Sequence, residues 1–224
     1  MTIGIFTAVV TEALSFLDSG AVKLSGDGAF SVYKLNLGRY DAVLCCPPSV
    51  GEIAAASACQ LLITKYNADV ILNFGVVGAL TDKTSLFSTV FVGDVVHYDM
   101  DTSEIDPLPV GRYECFDDVA VECDKALLKK ALSVCNIPVV RCASADKFVS
   151  DAAKKTALNA NYGAEVCDME SAGILFTCKF NNIPCLMVKC ISDSLIGGAD
   201  EYEQNCVKAA QNFMELATEI CVGL

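Results

Sequence analysis

Carboxylate side chains come directly after four runs of residues that read as β-strands. They are Glu12, Asp146, the pair Asp168 and Glu170 in the stretch CDMESAG, and Asp193. Ligands of open α/β sheets bind at the carboxyl ends of the strands, so these side chains would converge on one cleft. A positioned carboxyl group can act as a general acid or a general base, which makes this set the candidate centre of chemistry.

Each of these carboxylates has a simpler explanation when it is taken alone. Asp168 or Asp193 can cap the N-terminus of a helix, Glu12 can be a solvated helix residue, and Met169 can be ordinary core packing. However, charges repeated at strand ends of a chain with 53% hydrophobic residues are costly unless they are paired or used. The pattern as a whole therefore favours a functional site.

The histidine and cysteine content of the sequence disfavours metal sites, disulfides and histidine-based proton transfer. His97 is the single histidine, so histidine-based metal sites and proton relays are disfavoured. The 13 cysteines are odd in number and never spaced as C-x-x-C, which favours buried, reduced thiols over disulfides or zinc sites. We expect neither a metal nor a cofactor.

The charge balance narrows the class of partner. With 28 acidic against 16 basic residues the net charge is −12, which argues against a nucleic acid or an anionic membrane. No apolar stretch is long enough to cross a bilayer, and the start, MTIGIFTAVVTEAL, lacks the basic region and cleavage site of a secretory signal. The sequence therefore predicts a cytoplasmic protein.

Short apolar runs rich in Val, Ile and Phe alternate with longer helix-like segments. The predicted strands are residues 2–8, 29–36, 41–46, 69–75, 90–97, 138–143, 164–168 and 184–191. The predicted helices are residues 51–66, about 118–134, 170–181 and 201–222. This alternation predicts an α/β fold, a three-layer αβα sandwich around a mixed, mostly parallel central sheet. We expect one domain over residues 1–224, with its longest loop at residues 99–118.

The motifs at these positions resemble those of the nucleoside phosphorylase family, and specifically its 5′-methylthioadenosine/S-adenosylhomocysteine nucleosidases. The matching stretches span about residues 1–195 in family order: IGIFTAVVTEAL, PSVGEIAAAS, ADVILNFGVVGAL, GDVVHYDMD, SADKFV, VCDMESAG and CISD. The specific part is D-M-E before a small-residue helix, with I-S-D further along the chain. The motifs TEAL and PSVG, together with Lys189, resemble plant-type members more closely than bacterial ones.

The resemblance implies cleavage of the N-glycosidic bond of 5′-methylthioadenosine, with or without S-adenosylhomocysteine, to adenine and the thioribose. By resemblance, Asp193 is the general acid that protonates purine N7, and Glu12 is the base that positions the attacking water. This arrangement follows the two-carboxylate logic of inverting glycosidases. Glu170 would accept hydrogen bonds from the ribose hydroxyls and favour the developing cation, whereas Asp168 would cap the following helix.

The other substrate-binding positions implied by the resemblance are Val50, Val77, Gly78, Phe148, Val149, Met169 and Ser192. Phe148 would stack on adenine, and the backbone of Val149 would read the edge of the base. Met169 would pack against the ribose and thioether, and Val50 would form part of the apolar wall. Members of this family are usually homodimers that act in methionine salvage, so we expect a homodimer with a small-molecule nucleoside as its ligand.

The family divides by whether water or phosphate attacks the sugar. A phosphate site calls for arginines and hydroxyl or amide donors. Here the loop is Gly75-Val76-Val77-Gly78 and residues 1–38 contain no arginine, which favours hydrolysis, although Lys189 supplies one cationic group. A purine nucleoside phosphorylase and a non-catalytic nucleoside-binding relative stay open as alternatives. Ala145 and Lys147 depart from the family pattern beside the adenine pocket, so the base preference can differ.

Overall fold

The computed structural model describes residues 1–223, and Leu224 lies outside the described residues. The strands are β1 (Thr2–Phe6), β2 (Val22–Lys23), β3 (Ser31–Leu37), β4 (Tyr40–Cys46), β5 (Val70–Ala79), β6 (Thr89–His97), β7 (Ala120–Glu122), β8 (Val139–Ser144), β9 (Val166–Asp168) and β10 (Cys185–Asp193). The helices are α1 (Val10–Leu17), α2 (Glu52–Thr64), α3 (Lys125–Val134), α4 (Ala152–Tyr162), α5 (Ser171–Asn181), α6 (Gly198–Ala209) and α7 (Phe213–Val222).

One sheet joins all ten strands of residues 1–223, with β5 at its centre. One edge of β5 pairs with β1 along its first half and with β9 at its end, while the other edge pairs with β10. Because β10 continues through β6 and β8 back to β9, these strands close into a ring, and β1, β4, β3 and β2 extend from it. The sheet contains both parallel and antiparallel pairings, so the mixed sheet is confirmed.

Helices cover the sheet on two sides, as the αβα prediction requires. One apolar cluster contains Ala55 and Leu62 of α2 with Leu175 of α5, packed on side chains of the sheet. The opposite cluster contains Phe16 of α1 and Phe213 of α7. Successive side chains of a strand point to opposite faces, which is why β1 and β5 can serve both clusters. The three-layer α/β fold is confirmed, whereas the single domain over residues 1–224 stays a prediction.

Two of the predicted helices differ from the observed elements. Residues 118–134 hold the short strand β7 followed by α3, which begins where the Asp124 side chain accepts a hydrogen bond from Leu127 N at 2.7 Å. Residues 201–222 are interrupted between α6 and α7 at residues 210–212. The two halves pack differently, since α6 lies on β10 whereas α7 contacts α1 and α3. The spacing of apolar residues continues through such a break, so it does not reveal where one helix ends and the next begins.

Four elements were not predicted: α1, α4 and the short strands β2 and β7. Of these, α4 is the most instructive, because its buried side chain is Lys155 rather than an apolar residue. It begins at Asp151, whose side chain accepts from Lys154 N at 2.8 Å, and ends at Gly163 with a left-handed backbone at φ 67°. Apolar periodicity, the main sequence signal for a helix, is therefore weak in this segment.

Other sequence-based expectations can be compared directly with the fold. Residues 98–119 contain no helix or strand, which confirms the long loop. Eleven of the 13 cysteines are buried, and Cys115 and Cys206 are more accessible, so thiols do act mostly as small hydrophobes. Within residues 1–223, none of the helices has both the length and the apolar character required to span a bilayer.

Candidate active site

A cleft lies at the carboxyl ends of β1, β5, β9 and β10, beside the N-terminus of α2. Its volume is about 560 Å³ including the open mouth, which is the size range of sites for small organic ligands. All ten residues predicted for catalysis and substrate binding line it: Glu12, Val50, Val77, Gly78, Phe148, Val149, Met169, Glu170, Ser192 and Asp193. The fold therefore brings the predicted residues together, while their individual roles stay predictions.

Glu12 is a buried carboxylate held by backbone amides. Its Oε2 accepts hydrogen bonds from Ala8 N at 2.8 Å and Val9 N at 3.3 Å, while Oε1 accepts from Val76 N at 2.9 Å. Burial raises the pKa of Glu12, and these hydrogen bonds together with the Lys189 charge oppose the rise. A carboxylate with a raised pKa is a better proton acceptor at neutral pH than an exposed one.

Asp193 is buried at the end of β10 and contacts a lysine. Lys155 Nζ donates to Asp193 Oδ2 at 2.5 Å and to the carbonyl of Ser194 at 2.6 Å. The hydroxyl of Ser192 lies 2.9 Å from Asp193 Oδ1 and 3.2 Å from the Val77 carbonyl oxygen. The carboxyl group of Asp193 is thus fixed at both oxygens, by an ammonium group and by a hydroxyl group.

Glu170 joins the end of β9 to the start of α2. Its Oε1 accepts from Gly51 N at 2.9 Å and its Oε2 from Met169 N at 3.3 Å. Burial, followed by the nearby charge of Asp168, raises the pKa of Glu170 to about 7. The group is therefore partly ionised at neutral pH and gains acceptor capacity as the pH rises.

Asp168 caps α5, as predicted, and also forms a buried ion pair. Its Oδ1 accepts from Ser171 N at 3.1 Å and its Oδ2 from Lys189 Nζ at 2.8 Å. Burial alone would raise the pKa of Asp168, but the Lys189 charge and the hydrogen bonds lower it. Lys189 also borders Glu12, because a side-chain carbon at Gly75 would lie 3.3 Å from Lys189 Nζ and 3.4 Å from Glu12 Oε1.

Apolar side chains form the mouth of the cleft. Val50 is 46% exposed and Phe148 is 47% exposed, so both present free apolar surface beside the buried carboxylates. Tyr202 meets Phe148 edge-on, with ring centroids 5.3 Å apart. An aromatic face above buried polar groups suits a flat heterocycle with a polar sugar.

Comparison with known proteins bears on what this cleft belongs to. The sequence model of the Phosphorylase superfamily matches residues 2–221. This chain belongs to that superfamily. A 5′-methylthioadenosine/S-adenosylhomocysteine nucleosidase of Treponema pallidum is 27% identical over 94% of this chain and 89% of its own length. An aminodeoxyfutalosine nucleosidase of Campylobacter jejuni is 25% identical over 74% of this chain and 75% of its own length.

Solved structures agree with this assignment at the level of the fold. A 5′-methylthioadenosine/S-adenosylhomocysteine nucleosidase of Helicobacter pylori superposes with a TM-score of 0.92 at 21% identity. The match covers 100% of this chain and 99% of that one. The phosphorylase-superfamily fold therefore extends over the whole of the described chain.

Sequence reasoning missed several residues of this superfamily member's site. Tyr202 lines the cleft, but it lies in the predicted helix 201–222, which was recognised by its apolar positions alone. Lys155 was missed because it belongs to the unpredicted α4, and Glu52 because the α2 pattern was read for its apolar face. Asp146 was a candidate, but its Oδ1 accepts from Glu52 N at 2.7 Å, so it caps α2 instead. The signal that could have identified them is a polar residue within a helix-like segment that lies next to the end of a strand.

Gly78 offers a test of how tightly Asp193 is placed. A Cβ at Gly78 would lie 2.8 Å from Asp193 Oδ2, closer than side-chain atoms tolerate, so Gly78→Ala must push the carboxyl group aside. We expect kcat to fall by roughly 10-fold to 100-fold, because sub-ångström placement of reacting groups controls the rate. The measurement is steady-state kinetics of the variant.

Gly93→Ala is the matched control. Its Cβ would lie 2.7 Å from Val139 Cγ1, so it also forces a methyl group into the sheet, but away from the cleft. It should lower the unfolding free energy and leave kcat unchanged. If both variants lost activity equally, the loss would come from the sheet and not from Asp193.

Three buried carboxyl groups predict how stability depends on pH. The pKa values of Glu12 and Glu170 are raised, and burial also raises the pKa of Glu52 to about 8. The folded protein therefore keeps protons that the unfolded chain has already released, so folding loses stability as pH rises toward 8. Between pH 6.5 and 8 the unfolding free energy should fall by roughly 2 kcal/mol.

Urea unfolding at a series of pH values measures this dependence. The lower limit keeps the titration of His97, whose pKa is lowered by burial, largely outside the range. The upper limit restricts the ionisation of unfolded thiols, which would lower stability in the same direction because burial raises the pKa of folded thiols such as that of Cys45, to about 12. An unfolding free energy that increases between these limits would contradict the raised pKa values of the three buried carboxyl groups.

Proposed function

We propose that this chain is an N-glycosyl hydrolase that cleaves 5′-methylthioadenosine, with or without S-adenosylhomocysteine, to adenine and the thioribose. The observation that carries the proposal is the pair of buried carboxyl groups, Glu12 of α1 and Asp193 of β10, which reach one cleft from different elements. The nucleosidase of Treponema pallidum, similar along nearly the whole chain, supports the same reaction.

In this reaction Asp193 gives its proton to purine N7, so that adenine leaves as a neutral base. The C–N bond breaks toward the base, and positive charge develops on the ribosyl group. Lys155 Nζ, at 2.5 Å, and the Ser192 hydroxyl both donate to Asp193 before substrate is bound, so the carboxylate takes up a proton when substrate binds and returns to its ion pair with Lys155 once N7 is protonated. The proton thus ends on the base, while the resulting charge stays in a buried ion pair.

The other two carboxylates act on the sugar. Glu12 accepts a proton from the attacking water, whose oxygen forms the new bond to the anomeric carbon. Glu170, ionised, accepts hydrogen bonds from the ribose hydroxyls and stabilises the developing cation. Backbone amides already hold both groups at 2.8 to 2.9 Å, so little reorganisation is needed when the charge appears.

The cleft supports water rather than phosphate as the nucleophile. Its lining places Val76 and Val77 with the carboxylates of Glu12 and Glu170, and a phosphate would meet repulsion there. Of the lysines near this lining, Lys189 is buried in its ion pair with Asp168, and Lys147 pairs with Asp99 at 3.3 Å. A purine nucleoside phosphorylase is therefore not favoured.

The test is incubation of the purified protein with 5′-methylthioadenosine, with and without phosphate, and identification of both products by chromatography. We expect adenine and free methylthioribose at a rate that is indifferent to phosphate. Phosphate-dependent release of a sugar phosphate would overturn the hydrolase assignment. Aminodeoxyfutalosine is the second substrate to test, because the Campylobacter jejuni relative carries that activity in its name.

Finer features of the function rest on the resemblance and stay proposals. They are a homodimer, a cytoplasmic location and a place in methionine salvage. Closer likeness to plant-type members also stays a prediction, since the relatives described above are bacterial. Sedimentation of the purified chain measures its oligomeric state.

A further inference from the structure

Glu52 is a buried carboxyl group outside the set that contacts substrate. It stands in the first turn of α2, and its Oε1 lies 2.5 Å from Ser144 Oγ. Its Oε2 accepts a hydrogen bond from Gly173 N in the first turn of α5. Glu52 therefore connects the N-termini of two helices that both border the cleft.

The hydrogen atoms around Ser144 do not balance unless a carboxyl group supplies one. Ser144 Oγ lies 2.5 Å from Glu52 Oε1 and 2.7 Å from Asp168 Oδ1, and it accepts from Ala172 N at 3.2 Å. A hydroxyl group has one hydrogen to donate, so it can satisfy only one of the two carboxyl oxygens. The other oxygen must itself carry a proton and donate it to Ser144.

The carboxyl group that carries the proton is Glu52. Asp168 has a cationic partner in Lys189 at 2.8 Å and accepts from Ser171 as well, all of which favour its ionised form. Glu52 has no cation within ion-pair distance among the described residues. Burial, and then repulsion from Asp168, raises the pKa of Glu52 to about 8, in agreement with the hydrogen count.

We propose that Glu52 holds a proton at neutral pH and acts as a positioning residue for Glu170, the ribose-binding carboxylate. This role rests on the proposed function. The hydrogen bonds have a fixed direction: the Glu52 carboxyl group donates to Ser144 Oγ, and the Ser144 hydroxyl group donates to Asp168. The order leaves one negative charge, on Asp168, in this buried group, and Lys189 neutralises it.

The backbone next to Glu52 transmits its state to Glu170. Gly51 N donates to Glu170 Oε1 at 2.9 Å, and Glu52 N donates to Asp146 at 2.7 Å, so the start of α2 is fixed on both sides. Loss of the Glu52 proton would place a second carboxylate against Ser144 and Asp168. Repulsion would then move the start of α2 and the Gly51 amide away from Glu170.

Charged and titratable groups face Glu52 from each neighbouring element. They are Asp168 at the end of β9, Glu170 before α5, Asp146 after β8 and Tyr113 in the long loop, while Lys189 in β10 pairs with Asp168. Burial raises the pKa of Tyr113 to about 12, so it stays neutral over the relevant range. Glu170, with a pKa of about 7, becomes a better acceptor as pH rises and cannot produce an alkaline loss of binding.

The first test detects the proton in the protein without substrate. Infrared difference spectra between pH 7 and pH 9 should show a protonated-carboxyl band in the wild type that disappears with an apparent pKa near 8. In Glu52→Gln the component that titrates near pH 8 should be absent, while the contribution of Glu170, whose pKa is about 7, remains. The amide of this variant can donate to Ser144 and accept from Gly173 as the protonated acid does. The proposal would be overturned if the wild type showed no band that titrates near pH 8, or if Glu52→Gln kept that band.

The second test measures the role in ribose binding. With 5′-methylthioadenosine, wild-type KM should rise roughly tenfold between pH 7 and pH 9, while kcat changes little, since a single group of pKa near 8 loses nine-tenths of its protons over that range. Glu52→Gln should keep KM within about twofold over the same range. Glu104→Gln, at an exposed position, is the control and should follow the wild type.

The two tests separate the possible failures. Turnover with a pH-independent wild-type KM would refute the positioning role and leave the hydrolase assignment intact. Absence of turnover would refute the proposed function and the role that rests on it, while the infrared band would still report the proton. If Glu52→Gln does not fold, Ser144→Ala replaces it, because removal of the hydroxyl should shift the wild-type band and its titration.

Discussion

Asp193→Asn should lower kcat for 5′-methylthioadenosine by about 100-fold or more, the scale of general acid catalysis. An amide has no acidic proton to give to N7, although it fills the same space. The surrounding contacts survive, since the amide oxygen can accept from Lys155 and the amide nitrogen can donate to Ser192 Oγ, which still donates to the Val77 carbonyl. The expected loss is therefore one of chemistry, with little change in KM.

Steady-state kinetics and urea unfolding of the same preparation measure this prediction. Asp200→Asn is the matched control, because Asp200 is exposed in α6 and the charge change is identical. It should have the kcat of the wild type. Turnover of Asp193→Asn within a few-fold of the wild type would remove Asp193 from the proton-transfer step.

Glu12→Gln should lower kcat by roughly 100-fold to 10,000-fold, because it removes the base that accepts the water proton. The amide also fits its surroundings less well than the carboxylate. Both oxygens of Glu12 accept from backbone amides, those of Ala8 and Val9 on one side and Val76 on the other. One side would then face an amide NH₂ group, and two donors would point at each other.

The mismatch predicts a second, separable effect. The unfolding free energy should fall by about 1 to 3 kcal/mol, the cost of an unsatisfied buried group. Glu215→Gln, at an exposed position of α7, is the control and should change neither quantity. An active Glu12→Gln enzyme of lowered stability would show that Glu12 supports the fold and not the reaction.

Local sequence was sufficient wherever one segment decides its own structure. The apolar runs at residues 69–75 and 184–191 predicted the central strands β5 and β10, because strands buried on both faces read as continuous hydrophobic stretches. The polar residues after such runs predicted the cleft, since parallel strands end at one edge of the sheet. Glu12, Glu170 and Asp193 were found in this way.

The sequence failed where a polar residue takes the place of an apolar one in the interior. Helix α4 buries Lys155, so neither the helix nor the partner of Asp193 was visible in a search for apolar periodicity. Residues 201–222 carried a helical pattern through the break between α6 and α7, because periodicity does not record which surface each half contacts.

By itself, the sequence determined the α/β class and the strand ends that carry carboxylates. Only the tertiary structure decided how those carboxylates are charged. Glu52, Glu170 and Asp168 are all acidic in the sequence, yet in the fold Asp168 is ionised against Lys189 while burial raises the pKa of the other two. The physical reason is that protonation depends on desolvation and on partners distant in the chain, such as Ser144 and Lys189, which only the packed molecule brings together.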